Sequence, residues 1–571
     1  MPEKHDWSAV EGLPKGAYVQ IIRDTPYVYF RYKWVEDGKV KQARDYLGVI
    51  RENKFVPNDY YLRLKPTKEN RPSERWTTSP SRKAAAEKRE QAGKEQSEVS
   101  SLSVGVTALV AMLLKESGLP ARALDALGGN EKDAVDALNL AMAAAITAKP
   151  TYLSADESDL QMFIGGKRCL SSPRASEFNK RIGAGRSLSA LMTKSGIASL
   201  EAGTLLALDG TKINCESKGI LDAGVGKRKD GTFGSQINFS LIVNAENGCP
   251  VGYRCFGGST ADVMTINDFA TMWDSYGLSS RDPVIVVDRG YYNQENFVAL
   301  NRGGYKFLAC AKTSVKIVSD VIKERNSEFY AASALMNNSN CYGVHDNRTL
   351  HAASGSMDLD VCVFRNPVQE MHATRDLRKR LDSFEDDWLQ GKTEDKGDLL
   401  RFFESPRRGQ PLVRDSRAID EECFLCGYFA FVTNAYTNLE NALGVYHLRN
   451  EAEVAFRLMF GHLLRSTRVH SSQALEGLLF TVFIALGILT QLRVKMRELL
   501  GKNSVSSSFT IREILTRLKR IQIVSVDGGK THHLNNVTEQ DRKLVEALGY
   551  PGLLDSASSV LEALSEQSFF R

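Results

Sequence analysis

The order of apolar runs between residues 204 and 313 restricts the fold more than any other feature of this sequence. "TLLALDGTKIN" comes first. "SQINFSLIVNAENGCPVGYRCF" follows as a hairpin turned at Asn247-Gly248, a pair suited to tight turns. "DVMTINDFATMWDSYG" has helical spacing, and "DPVIVVDRG" returns to an apolar run. "NQENFVALNRGG" reads as a helix capped by Asn293, and "YKFLACAK" as a fifth strand. Three antiparallel-type strands, helix, strand, helix, strand is an α/β order.

Two of these runs end in an acid, Asp209 in "LLALDGTKI" and Asp288 in "VIVVDRGYY". A carboxylate at the end of a buried strand loses hydration unless a cation or donor meets it. The element order matches the ribonuclease-H topology, in which the first and fourth strands lie side by side, so Asp209 and Asp288 are expected to meet. A third acid comes from "YHLRNEAEVAFRLMFGHLLR", Tyr446–Arg465. Wound as one helix, Leu448, Ala452, Ala455, Phe456, Met459 and Leu463 form an apolar stripe that must be buried. Tyr446, Arg449, Glu453, Arg457 and Phe460 form a second stripe, with Glu451 turned about 200° from Glu453. On an isolated helix Glu453 would be one rung of an i,i+4 ion-pair ladder. Beside two strand-end aspartates it becomes a third ligand delivered by a helix packing on the sheet. Hard oxygen donors of this kind suit Mg²⁺ or Mn²⁺. Two such ions about 3.5–4 Å apart serve phosphodiester chemistry.

The remaining sequence is consistent with several domains in 571 residues. Residues 1–65 read as an antiparallel β meander with turns at Asp37-Gly38 and near Asn53, whose exposed Arg, Lys and Tyr are expected to lie on DNA, the alternative being an ordinary half-buried sheet. Residues 66–102 are a polar, charged linker. Residues 103–200 are helical, with Ser172 as an N-cap and Pro173 at N1, and are also expected to hold DNA. Residues 201–313 form the first part of the core, and 314–442 a β-rich insertion. Residues 443–500 are the second core part, carrying Glu453, and 501–571 a helical or mixed tail. The net charge of +5 is only mildly basic. Nine scattered cysteines suit a reducing cytosol, and Cys423 and Cys426 read as buried thiols of an apolar, strand-like run. The opening "MPEKHDWSAVEG" has no apolar core of a leader. The longest apolar run, "GLLFTVFIALGIL", falls short of the roughly 20 residues of a bilayer span and is expected as a buried helix. A soluble, cytoplasmic protein without membrane attachment follows.

Taken together, these motifs resemble the DDE transposases of bacterial insertion sequences, in the IS-four-like group whose third acid lies in a Y-x2-R-x3-E-x6-K signature. Tyr446, Arg449 and Glu453 match its first three positions. "SSPRASEF", "LLALDGTKI", "GGSTADV", "VIVVDRGYYNQEN", "GYFAFVTN" and "EVAFRLMFGHLLRSTRVHS" resemble further landmarks, in the same order along most of the chain. The resemblance implies a ribonuclease-H-like core in which Asp209, Asp288 and Glu453 bind two divalent ions. It also implies cleavage and strand transfer at the element's terminal inverted repeats and at target DNA. Arg449 would grip phosphates and Tyr446 would stack on strand or base. A homodimer would hold two ends, associated with the nucleoid when DNA-bound. The signature lysine falls at position 460, where this chain has Phe460. Arg457, one turn earlier on the same stripe, is the expected stand-in for its phosphate contact. Two other readings stay open. A ribonuclease-H-like nuclease would cut without joining, and a repressor descended from a transposase would bind terminal repeats and leave them intact.

Overall fold

The computed structural model describes residues 7, 9–22, 25–36, 39–70, 99–150, 158–228, 231–260, 265–337, 339–391, 397–404, 410–464, 467–500, 510–526 and 531–570. The Asp37-Gly38 turn, most of the expected linker and the end of "GGSTADV" lie outside them. The fold is mixed α/β with several sheets, and the chain divides into two compact units, residues 1–100 with 525–531 and the remainder.

The first unit carries a four-stranded antiparallel meander, β1 (Tyr18–Ile22), β2 (Thr25–Glu36), β3 (Lys39–Arg51) and β4 (Lys54–Pro57), followed by helix α1 (Asp59–Leu64). Period-two alternation turns Val28, Phe30 and Tyr32 of β2 inward onto Leu47, Ile50, Phe55 and Tyr60, a small core under one face.

The second unit is built on a nine-stranded sheet. Its strands are β5 (Leu205–Asn214), β6 (Gly224–Lys227), β7 (Phe233–Asn244), β8 (Pro250–Gly257), β9 (Val284–Val287), β10 (Lys306–Ala311), β11 (Tyr342–Ala352), β12 (Gly355–Arg365) and β13 (Tyr428–Thr433). The order is β11-β12-β13-β10-β9-β5-β7-β6, with β8 also paired to β7. β9 runs parallel to both β5 and β10; the other neighbours are antiparallel. Gly248 takes φ +78° in the turn between β7 and β8, a conformation open to glycine at little steric cost. Helices α7 (Thr265–Ser275) and α8 (Gln294–Arg302) connect β8, β9 and β10, and the Asn293 side chain caps α8 by accepting from the Glu295 amide at 2.8 Å.

Within residues 314–442, expected as an insertion, β11, β12 and β13 continue the main sheet at its β10 edge. The stretch between β12 and β13 carries two longer helices, Pro367–Leu389 and Ser416–Leu425, and has a small core around Leu381, Phe384, Phe402 and Phe403. Cys423 lies in the second of these helices and Cys426 at its C-cap, both partly exposed, so "CFLC" ends a helix and the strand begins at Tyr428. A short apolar run carries no periodicity that separates helix from strand.

Residues expected as a helical segment form α2 (Gly105–Glu116), α3 (Leu119–Ala126), α4 (Glu131–Thr147), α5 (Ser172–Ile182) and α6 (Leu188–Ala198). They share one apolar core with the sheet and with a long helix, Ser472–Leu500. That helix is long and apolar enough to cross a membrane by length and composition, yet it lies mostly buried inside the protein. Helix α5 begins one residue earlier than the sequence suggests: Ser171 is the N-cap, its side chain makes no capping bond, and Pro173 falls at N2. α5 crosses the long helix without side chains between the backbones. A Cβ on Gly477 would lie 2.1 Å from the Asn179 carbonyl oxygen, and one on Gly183 would lie 2.0 Å from that of Gln473. Gly477→Ala should therefore push the two backbones apart and destabilise the protein by roughly 1–3 kcal/mol. A urea midpoint unchanged from the parent would count against this close crossing.

Candidate active site

Strand alternation sets the first two acids. Along β5, Ala207 and Ile213 share the parity of Asp209, and both belong to the core that includes Ala452, Ala455 and Phe456. β9 is registered beside β5 with Val286 next to Ala207 and Val287 next to Leu208. Asp288 is thus the next residue in step with Asp209, and neighbours in register point to one face of a sheet. β9 stops at Val287 while β5 runs on to Asn214, which leaves a flank of β5 open just past the pair. Each carboxylate also accepts a local backbone bond: Asp209 from Gly210 N at 2.9 Å, Asp288 from Arg289 N at 2.7 Å as cap of a 3₁₀ turn.

The third acid arrives on a helix that packs on that same face. The expected continuous helix over 446–466 is divided: Leu439–Leu448, then Asn450–Leu458, then a π turn, Met459–Leu463. Arg449 is the junction, and its amide bonds the Tyr446 carbonyl three residues back at 3.0 Å, the tighter 3₁₀ pattern. Since φ and ψ of Arg449 stay right-handed helical, no glycine or proline marks the break. The expected apolar stripe holds, with Ala452, Ala455, Phe456, Met459 and Leu463 buried, and the Phe456 ring meeting Phe239 of β7 at 6.4 Å. Glu453, between the buried positions, is left at the edge of this contact.

Arg449 draws the acids together. Its Nη1 lies 3.5 Å from Asp288 Oδ2 and its Nη2 donates to Glu453 Oε1 at 2.5 Å, while only 8% of the residue is exposed. Tyr446 donates its hydroxyl to Asp288 Oδ1 at 3.3 Å and packs its ring on Phe431 at 4.3 Å. The Arg449 guanidinium lies over the Tyr446 ring, 5.5 Å from its centre. Both side chains face the acids in this structure.

Burial raises the pKa of Asp209 to about 6; the Gly210 amide and Arg449 pull down, while Asp288 and Glu453 push up. Burial opposes the charge on Arg449, but Tyr446, Asp288, Asp209 and Glu453 outweigh it and hold the guanidinium protonated. Among the described residues no three His, Cys, Asp or Glu side chains stand grouped to hold a metal ion. The donor chemistry nonetheless fits one: three hard carboxylates, with Asp209 held above the usual carboxylate range chiefly by burial.

Asp209 and Glu453 open into a cleft of about 530 Å³ together with Gly210, Thr211, Lys212, Phe456, Arg457 and Phe460. Arg457 is exposed on its wall, and Phe460 stacks on Phe456 at 6.1 Å. Lys212 was not singled out from the sequence. Its signal was a cation three residues after a strand acid, within a strand that continues past that acid. Glu451 points elsewhere, as the helical wheel indicates: it accepts from Arg493 and, at 2.9 Å, from Arg497, both on the helix Ser472–Leu500.

The family model for the transposase DDE domain matches residues 201–488. That span covers both parts of the sheet and all three acids. The chain belongs to the DDE transposase family. No curated protein matches it. Among solved structures, the cryo-EM structure of the piggyBac transposase synaptic complex with hairpin DNA aligns at 9% identity with a TM-score of 0.30. The alignment covers 65% of this chain and 62% of that one, less than two thirds of its length. The transposase DDE domain thus coincides with the part of the chain that carries Asp209, Asp288 and Glu453.

Proposed function

We propose that this chain is an insertion-sequence transposase of the IS-four-like group that cuts and rejoins DNA at the element's ends, with Asp209, Asp288 and Glu453 as its catalytic acids. The observation that carries this is the placement of Asp209 on β5 and Asp288 just past the end of its registered parallel neighbour β9, with Glu453 joined to Asp288 through Arg449. The order β8-β7-β5-β9-β10 within the sheet supports a ribonuclease-H-like core. The three carboxylates would hold two Mg²⁺ or Mn²⁺ ions, which supply activation of an attacking oxygen and stabilisation of the leaving one. Arg449 offsets the repulsion between Asp288 and Glu453 and fixes their spacing; Tyr446 orients Asp288. The cations of the cleft, the exposed Arg457 and the half-buried Lys212, take the DNA phosphates. A homodimer accounts for the pairing of two ends.

The test is incubation of the full chain with Mg²⁺ and a donor duplex carrying its gene's native flanks, plus a target plasmid. Joined products support the transposase reading. Cutting alone marks a nuclease, and binding without cutting marks a repressor.

Phe460 gives a second test. If Arg457 makes the phosphate contact that a lysine at 460 would make, Arg457→Ala weakens end binding and lowers the salt slope by about one unit. Phe460→Lys is then neutral or mildly activating. Parent-like behaviour of Arg457→Ala, with many-fold activation by Phe460→Lys, would overturn this assignment.

A further inference from the structure

The outer face of the N-terminal meander carries an arrangement that folding alone does not favour. Tyr18, Tyr29 and Tyr46 form one row across β1, β2 and β3, with Tyr18 opposite Tyr29 and Tyr29 opposite Tyr46. Their ring centres lie 5.7 Å apart in both pairs. In the next row Arg31 of β2 lies directly opposite Arg44 of β3. Like charges placed opposite each other on neighbouring strands destabilise a sheet. Neither arginine is ion-paired among the described residues; instead Arg31 lies 4.9 Å over the Tyr18 ring and Arg44 lies 5.3 Å over that of Tyr29. Arg44 also donates to Gln20 at 3.1 Å. Lys33, opposite Gln42, and Arg51 add further exposed cations to the same strands. Asp45, between Arg44 and Tyr46, turns inward, fully buried, and accepts from the Tyr60 hydroxyl at 2.8 Å.

Resting on the transposase reading, we infer that this tyrosine–arginine face docks on duplex DNA, with Arg31, Arg44 and Lys33 meeting phosphates. A polyanion neutralises the unfavourable Arg31–Arg44 pair, which identifies the charge of the partner. Its form follows from the rings. Tyr18 and Tyr29 are stacked at 26° and each carries a guanidinium, so their faces are already covered, whereas single-strand binding needs open rings for bases. Three strands at about 4.8 Å spacing make a face roughly 10 Å across, which a major groove about 12 Å wide admits.

Arg31→Glu in the full chain separates a binding role from a structural one. It replaces a like-charge pair with an opposite-charge one, so thermal stability should hold or rise. Affinity for a duplex bearing the native flanks should fall at least tenfold, with a salt slope about one to two units shallower. Arg31→Gln with Arg44→Gln should weaken binding similarly without unfolding. Fluorescence anisotropy over a salt series reads both. Parent-like affinity and slope in both variants would overturn the inference. So would loss of single-stranded binding with duplex binding intact. Failure of the transposase reading looks different: no cleavage by the parent, with duplex binding still sensitive to Arg31.

Discussion

Asp209→Asn should abolish strand cleavage and at the same time make the metal-free protein more stable. The two effects share one cause. Asp209 carries a pKa raised from 3.8 to about 6, chiefly because burial disfavours its charge. A folded-state pKa above the unfolded value means stability that is complete below the ordinary carboxylate range and lost as pH rises through about 6. Asparagine keeps the shape and removes the charge. Well above pH 6 the variant should therefore gain roughly 2–3 kcal/mol without divalent ions, and the gap should close in acid. On the proposed function the same carboxylate is a hard oxygen donor to the metal, and removing a ligand worth several kcal/mol should slow cleavage on the order of 10³-fold or more. Urea unfolding of parent and variant on either side of pH 6, with excess chelator, gives the first number; cleavage assays in Mg²⁺ give the second. A variant that is less stable than the parent in alkali would show that Asp209 is held by partners rather than strained by burial.

Glu451→Ala should do the reverse, weakening the fold and sparing the chemistry. Glu451 is 12% exposed at its side chain and takes Arg493 and Arg497 from a helix some 40 positions later in the chain. Removing it leaves two arginines, one of them mostly buried, without their shared carboxylate. Breaking a fully buried pair costs about 3–5 kcal/mol. The partial exposure of Arg497 screens some of this, so roughly 2–3 kcal/mol is expected. Cleavage per folded molecule should stay near that of the parent, and Glu451→Gln should recover part of the stability. Loss of cleavage in a fully folded Glu451→Ala protein would place this residue in the site after all.

The contrast between these two acids shows which parts of the molecule could be read locally. Alternation along "LLALDGTKI" and "VIVVDRG", together with the order of elements, was enough to bring Asp209 and Asp288 to one face, because strand parity and right-handed crossovers leave little choice. The helical wheel separated Glu451 from Glu453, because the buried stripe fixes rotation. What Glu451 binds was not legible, since its partners come from a distant helix. The break at Arg449 was hidden as well: its backbone stays helical, and no residue there signals a stop. Nor did the wheel show that Arg449 turns into the protein, because an i,i+4 pair on a solvated face and one that also meets a strand-end aspartate look alike in sequence. The strands beyond residue 340 joined the main sheet by antiparallel pairing at its edge, which depends on backbone bonds and leaves no periodic mark.

The Arg449 junction also makes the chain intolerant of length changes at one place. Arg449 and Glu453 are one helical turn apart, and the same arginine reaches Asp288 on the sheet. One residue inserted or deleted between them would swing the Glu453 carboxylate about 100° around the axis, out of reach of Arg449 and Asp209. Two would carry it to the side where Arg493 and Arg497 receive Glu451. Loops of the sheet can lengthen or shorten and leave the acids in step, but this interval behaves like the teeth of a gear, where only one count meshes.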